Sequence, residues 1–497
     1  MPAIRPRYII PDVTSRREFL TVAAASALPA AFAQTADPTR LTLKQASDLI
    51  RAKRASSAEL TDSCLRRIEK YDPALHAFIT ITAEQARASA RERDAELRAG
   101  RWRGPLHGVP IALKDNIDTA GIRTTGGSEL FKERVPAEDA DVARRLKEAG
   151  AVLLGKLNLV EFAYGGNPTV TYFGTVHNPW ALDRTPGGSS SGPGAAIAAE
   201  LCYGTLGTDT AGSVRNPAAN CGIVGLKPTY GRVSLRGVIP LSWTLDHVGP
   251  LCRSVEDAAI LMNVIAGYDE PDPTTADVPV PDYTRALKMP TSKLRLGRPA
   301  ALFENLDPEV VPACDAALAV LRKMTASVRD VTLPPSGNPA QVWGPEALAY
   351  HAKWFAESPE KYQPATRRQL QQSTEEKAAD YALALRQVEM ARREIRKLFR
   401  DVDLLVTPTT VTPAALIAEA PPPVRGRGAG PGRNNNSPFD VFGLPAISVP
   451  CGFTQSGLPI GLQIIGAHFA EPAVLALAHA YEQATEWHLR RPKMDWA

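Results

Sequence analysis

Residues 186–228 read PGGSSSGPGAAIAAELCYGTLGTDTAGSVRNPAANCGIVGLKP. Two clusters of small residues, Gly187–Gly192 and Thr210–Ser213, bracket the apolar, Ala-rich segment 195–206. Such clusters make turns that present hydroxyls and bare backbone N–H groups. The segment between them reads as a buried helix running into a strand, which holds both turns on a rigid element. Acyl chemistry needs that combination: a hydroxyl nucleophile, and fixed N–H donors aimed at a developing oxyanion.

The rest of the chain alternates between two periodicities. Residues 41–55 and 57–71 have helical spacing. A third helix begins at Thr82, with Gln85 as a capping-box partner and Gly100 as its stop. Residues 109–113 form a short apolar run ending at Lys114, a buried strand by pattern. A helix over 139–150 is followed by a strand over 151–154. Then come a helix at 254–266, a strand near 294–297, a helix at 308–325, and strands at 328–333 and 403–407. Strands alternating with helices predict an α/β layer around a buried sheet. Residues 341–401 are helical and aromatic, carrying Trp343, Tyr350, Trp354, Phe355 and Tyr362. They read either as a helical pair with inward aromatics or as a helical cap over a substrate pocket. The run from Pro421-Pro422-Pro423 to Asn436 reads as a surface loop that could rim an active-site mouth.

Four ordered motifs together resemble the amidase signature family of serine hydrolases. They are Gly104-Pro105-Leu106-His107-Gly108-Val109-Pro110 running to Lys114-Asp115-Asn116, then Gly187–Gly192, then Gly207–Arg215 with Cys221–Pro228, and finally Gly443–Pro450 with Gly457–Gln463. The resemblance covers the chain from about Leu41 onward. It implies one large domain, residues 34–497, around a central twisted mixed β-sheet covered by helices on both faces. By motif position it implies Ser213 as nucleophile, Ser189 as the bridging serine after a cis Gly188–Ser189 bond, and Lys114 as base. The backbone N–H groups of Thr210, Ala211, Gly212 and Ser213 would form the oxyanion hole. Asp209, Arg215, Gly188 and Ser190 are expected to support these groups without reacting. Ala211 stands where many members carry a second glycine, so a positive φ there would be disfavoured.

The chemistry is coherent without the family name. A serine hydroxyl is a weak nucleophile until something takes its proton. A lysine can do so if it is neutral, and burial among apolar walls favours its neutral form. Ile111-Ala112-Leu113 suit such burial, and strand alternation turns Asp115 away from Lys114. Gly188-Ser189-Ser190-Ser191-Gly192 also fits the G-x-S-x-G nucleophile elbow with Ser190 central. That motif should follow a buried strand, and here it follows a polar run with Pro179 and Pro186.

Thr14-Ser15-Arg16-Arg17-Glu18-Phe19-Leu20 matches a twin-arginine export signal, followed by an apolar run and Ala31-Phe32-Ala33. Residues 1–33 are therefore expected to be cleaved after Ala33 and the mature chain to be periplasmic. The apolar run is too short to span a bilayer, so no stable membrane insertion is expected. A net charge of +4 over 497 residues gives no footprint for nucleic acid. No HExxH, Cys/His cluster or Walker motif occurs, so no metal or cofactor is expected. The six cysteines are scattered without CxxC and read as small buried hydrophobes, though an oxidising compartment leaves pairing open. The expected activity is hydrolysis of C–N acyl bonds in carboxamides, anilides, peptide amides or carbamates, with esters also cleaved, by a monomer or homodimer. The alternatives are the glutaminase component of a tRNA-dependent amidotransferase, which export argues against, and a non-catalytic exported binding protein.

Overall fold

The computed structural model describes residues 37–165, 167–419 and 435–496. The export-signal reading of residues 1–33 lies outside them, as does most of the loop expected before Asn436. Eleven strands form one sheet. They are β1 Phe78–Ile81, β2 Pro110–Lys114, β3 Val152–Leu157, β4 Gly204–Asp209, β5 Val224–Lys227, β6 His247–Cys252, β7 Arg295–Pro299, β8 Ser327–Val331, β9 Leu404–Pro408, β10 Ala446–Phe453 and β11 Pro459–Gly466. Their order is β1-β3-β2-β4-β6-β5-β10-β11-β9-β7-β8. β2 runs parallel to both β3 and β4, and β7 runs parallel to β8 and β9. The centre is antiparallel, from β4 through β6, β5 and β10 to β11 and β9.

Every residue of β2, β4, β5, β6, β9 and β11 is buried, including polar ones such as Thr205, Thr208 and Asp209 on β4, as strands covered on both faces require. Helices flank the sheet. The Ala-rich segment forms the helix Ser191–Ala198, and β4 follows after a short turn. Both ends of the central stretch are thereby fixed to the sheet interior. Capping boxes start the helices Leu43–Arg51 (Thr42 with Gln45) and Ser57–Leu75 (Ser56 with Glu59).

The capping box expected at Thr82 does not form. The Thr82 hydroxyl donates to Leu153 O at 2.9 Å instead, joining the helix Ala83–Arg98 to β3. All six cysteines are buried and unpaired. No helix among the described residues is long and apolar enough to cross a membrane.

The segment 341–401 folds as the helices Ala340–Glu357, Pro364–Ser373 and Ala378–Leu398. Its aromatics pack inward: Trp354 lies 5.0 Å from Phe131 and Tyr362 lies 5.8 Å from Phe162, ring centre to ring centre. The same segment also supplies Trp343 and Gln369 to the wall of a cavity of about 320 Å³.

Candidate active site

Lys114 closes β2, and β2 lies beside β4, which runs into the turn carrying Ser213. Strand pairing therefore carries residues nearly a hundred positions apart to one sheet edge. Lys114 Nζ is hydrogen-bonded to Ser189 Oγ at 2.9 Å and to Thr208 Oγ1 at 2.7 Å. Asn116 Nδ2 donates to the same threonine oxygen at 3.2 Å. The Gly188–Ser189 peptide bond is cis. Ser190 N donates to Ser213 O at 3.3 Å, so the two small-residue turns touch. Gly188 and Ser213 line one cavity of about 320 Å³.

Lys114 is completely buried. Burial pulls its ammonium from 10.5 down to about 7, against the opposing attraction of Asp246 and Asp209. Asp115 does not share its charge with Lys114. Its carboxylate accepts from Thr125 N at 2.8 Å and Thr125 Oγ1 at 2.5 Å, and lies 3.4 Å from Lys156 Nζ. Lys156 and Lys227 are equally buried lysines. Lys156 Nζ goes to Ile117 O and Thr124 Oγ1, and Lys227 Nζ to Leu444 O and Pro228 O. Of the three, Lys114 alone is bonded to a serine.

The nucleophile turn is held from behind. Asp209 Oδ1 accepts from Gly212 N at 2.5 Å and Ser213 N at 2.9 Å, and Oδ2 accepts from Val214 N at 3.2 Å. Arg215 Nε donates to Asp209 Oδ2 at 2.9 Å and Nη2 to Oδ1 at 3.1 Å. The guanidinium also reaches Asp440 Oδ2 at 2.5 Å and Gln463 Oε1 at 2.6 Å. All of these side chains are fully buried. Burial alone would raise the Asp209 carboxyl, but the charge and hydrogen bonds of Arg215, with Lys227 beyond it, hold it well below the usual carboxylate range. Asp440 has fewer donors and faces Asp209, so burial keeps it well above that range.

In this arrangement the Gly212 and Ser213 N–H groups serve Asp209, and an acyl oxygen would share them with it. Thr210 and Ala211 line the cavity. The positive φ of the turn falls on Gly212, at +116°, and not on Ala211. A Cβ at Gly212 would stand 2.6 Å from Asn436 Cβ, so glycine is required there and alanine is accommodated one position earlier. Ser190 is fully buried and its Oγ donates to Thr208 O at 3.2 Å, away from the cavity. No strand precedes its motif, which opens directly into the helix Ser191–Ala198.

Three residues of the site are not singled out by sequence reasoning. Asn435 and Asn436 are buried, and each donates through Nδ2 to the C-terminal end of β9: Asn435 to Pro408 O and Asn436 to Thr409 O just beyond it, both at 3.0 Å. The low-complexity run just before them masks any signal. Thr208, which shares Lys114 with Ser189, carries one: it stands five residues before the nucleophile on the strand that positions it.

The amidase family model matches residues 59–475. The A subunit of glutamyl-tRNA(Gln) amidotransferase from Moorella thermoacetica is 41% identical over 92% of this chain and 99% of its own. Native peptide amidase from Stenotrophomonas maltophilia superposes with a TM-score of 0.80 at 34% identity, covering 91% of this chain and 98% of its own. The corresponding A subunit from Thermotoga maritima superposes at 0.77 with 32% identity, covering 92% and 98%. The match spans the motifs, the sheet and the cavity alike: this chain belongs to the amidase signature family, whose members hydrolyse C–N bonds.

Proposed function

We propose that the chain hydrolyses carboxamides through an acyl-enzyme on Ser213. The observation that carries this is Lys114, completely buried and 2.9 Å from Ser189 Oγ, where burial favours its neutral form. In the proposed reaction the Ser213 proton passes to Ser189 Oγ as the Ser189 proton passes to Lys114 Nζ. Ser213 Oγ bonds to the carbonyl carbon, and N–H groups of the Thr210–Ser213 turn steady the oxyanion. The proton returns from Lys114 through Ser189 to the amine as the C–N bond breaks. Water then releases the acid by the same relay.

Two substrate readings divide from here. The relatives found by sequence support glutamine more directly, since they are amidotransferase A subunits. On that reading the chain would act beside partner subunits and charged tRNA. The cavity favours an uncharged acyl group. Among the described residues its walls carry Leu241, Trp343, Val411, Gln369, Asn435 and Thr410 but no charged side chain. A free amino acid would bring an ammonium and a carboxylate with no opposite charge among the described wall residues to meet them. Export by the twin-arginine route, part of the same proposal, would also separate the chain from tRNA.

The test is a panel of neutral anilides, peptide amides and carbamates alongside glutamine, run on the purified chain. Turnover of the neutral amides at kcat/KM well above glutamine is expected. Glutamine preferred over every neutral amide would establish the amidotransferase reading instead.

A further inference from the structure

We propose that Glu346 is a positioning residue that sets the shape of the substrate cavity by clamping the helix that carries Trp343 to the nucleophile turn. The inference rests on the reading of Ser213 as the nucleophile. Glu346 lies on the helix Ala340–Glu357 one turn beyond Trp343, so both side chains leave the same face. Trp343 forms cavity wall, and Glu346 is buried behind it.

The carboxylate of Glu346 is fully engaged by the segment 242–244 and by a neighbouring helix. Oε1 accepts from Thr244 Oγ1 at 2.5 Å and from Tyr381 OH at 3.0 Å. Oε2 accepts from the Ser242 hydroxyl, and from Thr244 N at 3.3 Å. Ser242 N in turn donates to Asp246 Oδ2 at 3.0 Å, as does Leu241 N at 2.9 Å. Asp246 Oδ1 accepts from Thr210 Oγ1 at 2.5 Å. Thr210 stands three residues before Ser213, and Leu241 is itself cavity wall. A chain of buried, charge-assisted hydrogen bonds thus runs Thr210–Asp246–Ser242–Glu346; Thr210 at one end lines the cavity, and Glu346 at the other lies behind the wall residue Trp343.

Retention of the helix does not call for a carboxylate. Its far end is packed by Tyr350, His351 and Trp354 against Phe131, Phe162 and Tyr362. Apolar packing tolerates sliding, whereas a buried carboxylate with four donors has one good position. That difference places the constraint in the turn that bears Trp343.

The experiment compares sulfonylation of Ser213 by methanesulfonyl fluoride and phenylmethanesulfonyl fluoride on the purified full chain. In both, Ser213 Oγ bonds to sulfur as fluoride and the serine proton leave. The reagents differ by a phenyl ring, so the ratio of their rates reads the cavity wall. The phenylmethanesulfonyl rate divided by the methanesulfonyl rate should fall about tenfold in Trp343→Ala and by a similar factor in Glu346→Ala. The double variant should fall no further than Trp343→Ala, because both lose one wall. Tyr381→Phe removes one donor without a cavity and should lower the ratio about twofold, which decides the matter should Glu346→Ala not fold. Equal loss of both rates in the Glu346 or Tyr381 variants, or independent effects of Trp343 and Glu346, would overturn the inference alone. Absence of a Ser213 adduct in the unaltered protein would overturn the nucleophile assignment and this inference with it.

Discussion

Replacing Lys114 by arginine separates a proton acceptor from a structural cation. A lysine with its usual value of 10.5 would be neutral in about one molecule in 3,000 at pH 7, whereas at about 7 it is neutral in half of them. Burial thus raises the base-competent fraction by about three powers of ten. As kcat/KM follows that fraction, it should climb about tenfold per pH unit below 7 and level off above. Lys114→Arg cannot give up its proton in this range, so amide turnover should fall nearly as far as in Lys114→Ala, by several powers of ten. Esters should lose less, because an alkoxide needs a returned proton less than an amine does. The assay is initial-rate kinetics on one amide and its matched ester from pH 5 to 9. Amide turnover in Lys114→Arg close to that of the unaltered chain, or a flat pH profile, would refute the reasoning.

The same residue makes a stability prediction, because the burial that frees its base costs the folded state. The folded chain holds Lys114 near 7 while the unfolded chain holds it near 10.5, so between these values the unfolded state binds more protons. Stability therefore rises with pH across that window. Below pH 7 the depressed lysine costs about 5 kcal/mol, at 1.36 kcal/mol per power of ten. Lys114→Met removes the charge and keeps the bulk. It should resist urea better than the parent at pH 6, and the advantage should shrink toward pH 10. A constant difference across that range would mean that Lys114 is not depressed.

Ser213→Ala should abolish phosphonate labelling with an unchanged circular dichroism spectrum, whereas Ser190→Ala should retain the Ser213 adduct; an adduct on Ser190 in the unaltered chain would favour the elbow reading. Asp209→Asn should cost about 3–5 kcal/mol in a urea melt, because it leaves Arg215 with one carboxylate and turns an amide NH2 toward Val214 N and Arg215 Nε, which both donate to Oδ2; a loss under 1 kcal/mol would show that the turn holds itself. Changing Arg16 and Arg17 together to lysine should leave precursor in the cytoplasm of the expressing bacterium, and normal periplasmic yield of the double variant would end the twin-arginine assignment.

Which parts of this site are legible depends on the reach of the contacts that make it. The Ser/Gly turns, the strand ending at Lys114 and the alternation of helices and strands are local patterns, and each lies within a few residues of where the pattern puts it. Asp115 turning from Lys114 to Lys156 follows from strand alternation, which is local too. The hairpin β10–β11 is visible as motif but not as strand, because Pro445, Pro450 and Pro459 interrupt its pattern. Thr82 misleads for the opposite reason: its capping signal is local, but a non-local acceptor on Leu153 wins. Asn435, Asn436, Asp440 and Glu346 depend wholly on partners elsewhere in the chain. A lone Asn or Glu in a helix or loop carries no mark of the hydroxyl or carbonyl it will meet.

Placed behind one turn of chain are two opposite solutions to burying charge. Lys114 meets two hydroxyls, and among the described residues no carboxylate lies within hydrogen-bonding distance of its Nζ, so burial wins and the amine gives up its proton near neutrality. Asp209 meets three backbone N–H groups and two guanidinium bonds, so its charge survives the same dryness. The count of charge-matched donors separates the two fates, since exposure is nil for both. The consequence for catalysis is a division of labour. A fixed charge rigidifies the turn that must not move, while a removable one sits where a proton must come and go. Adding a single carboxylate beside Lys114 would merge the two regimes: with Thr208→Asp the amine would regain its charge, the turn would stay intact, and the protein would be well folded and inactive at neutral pH.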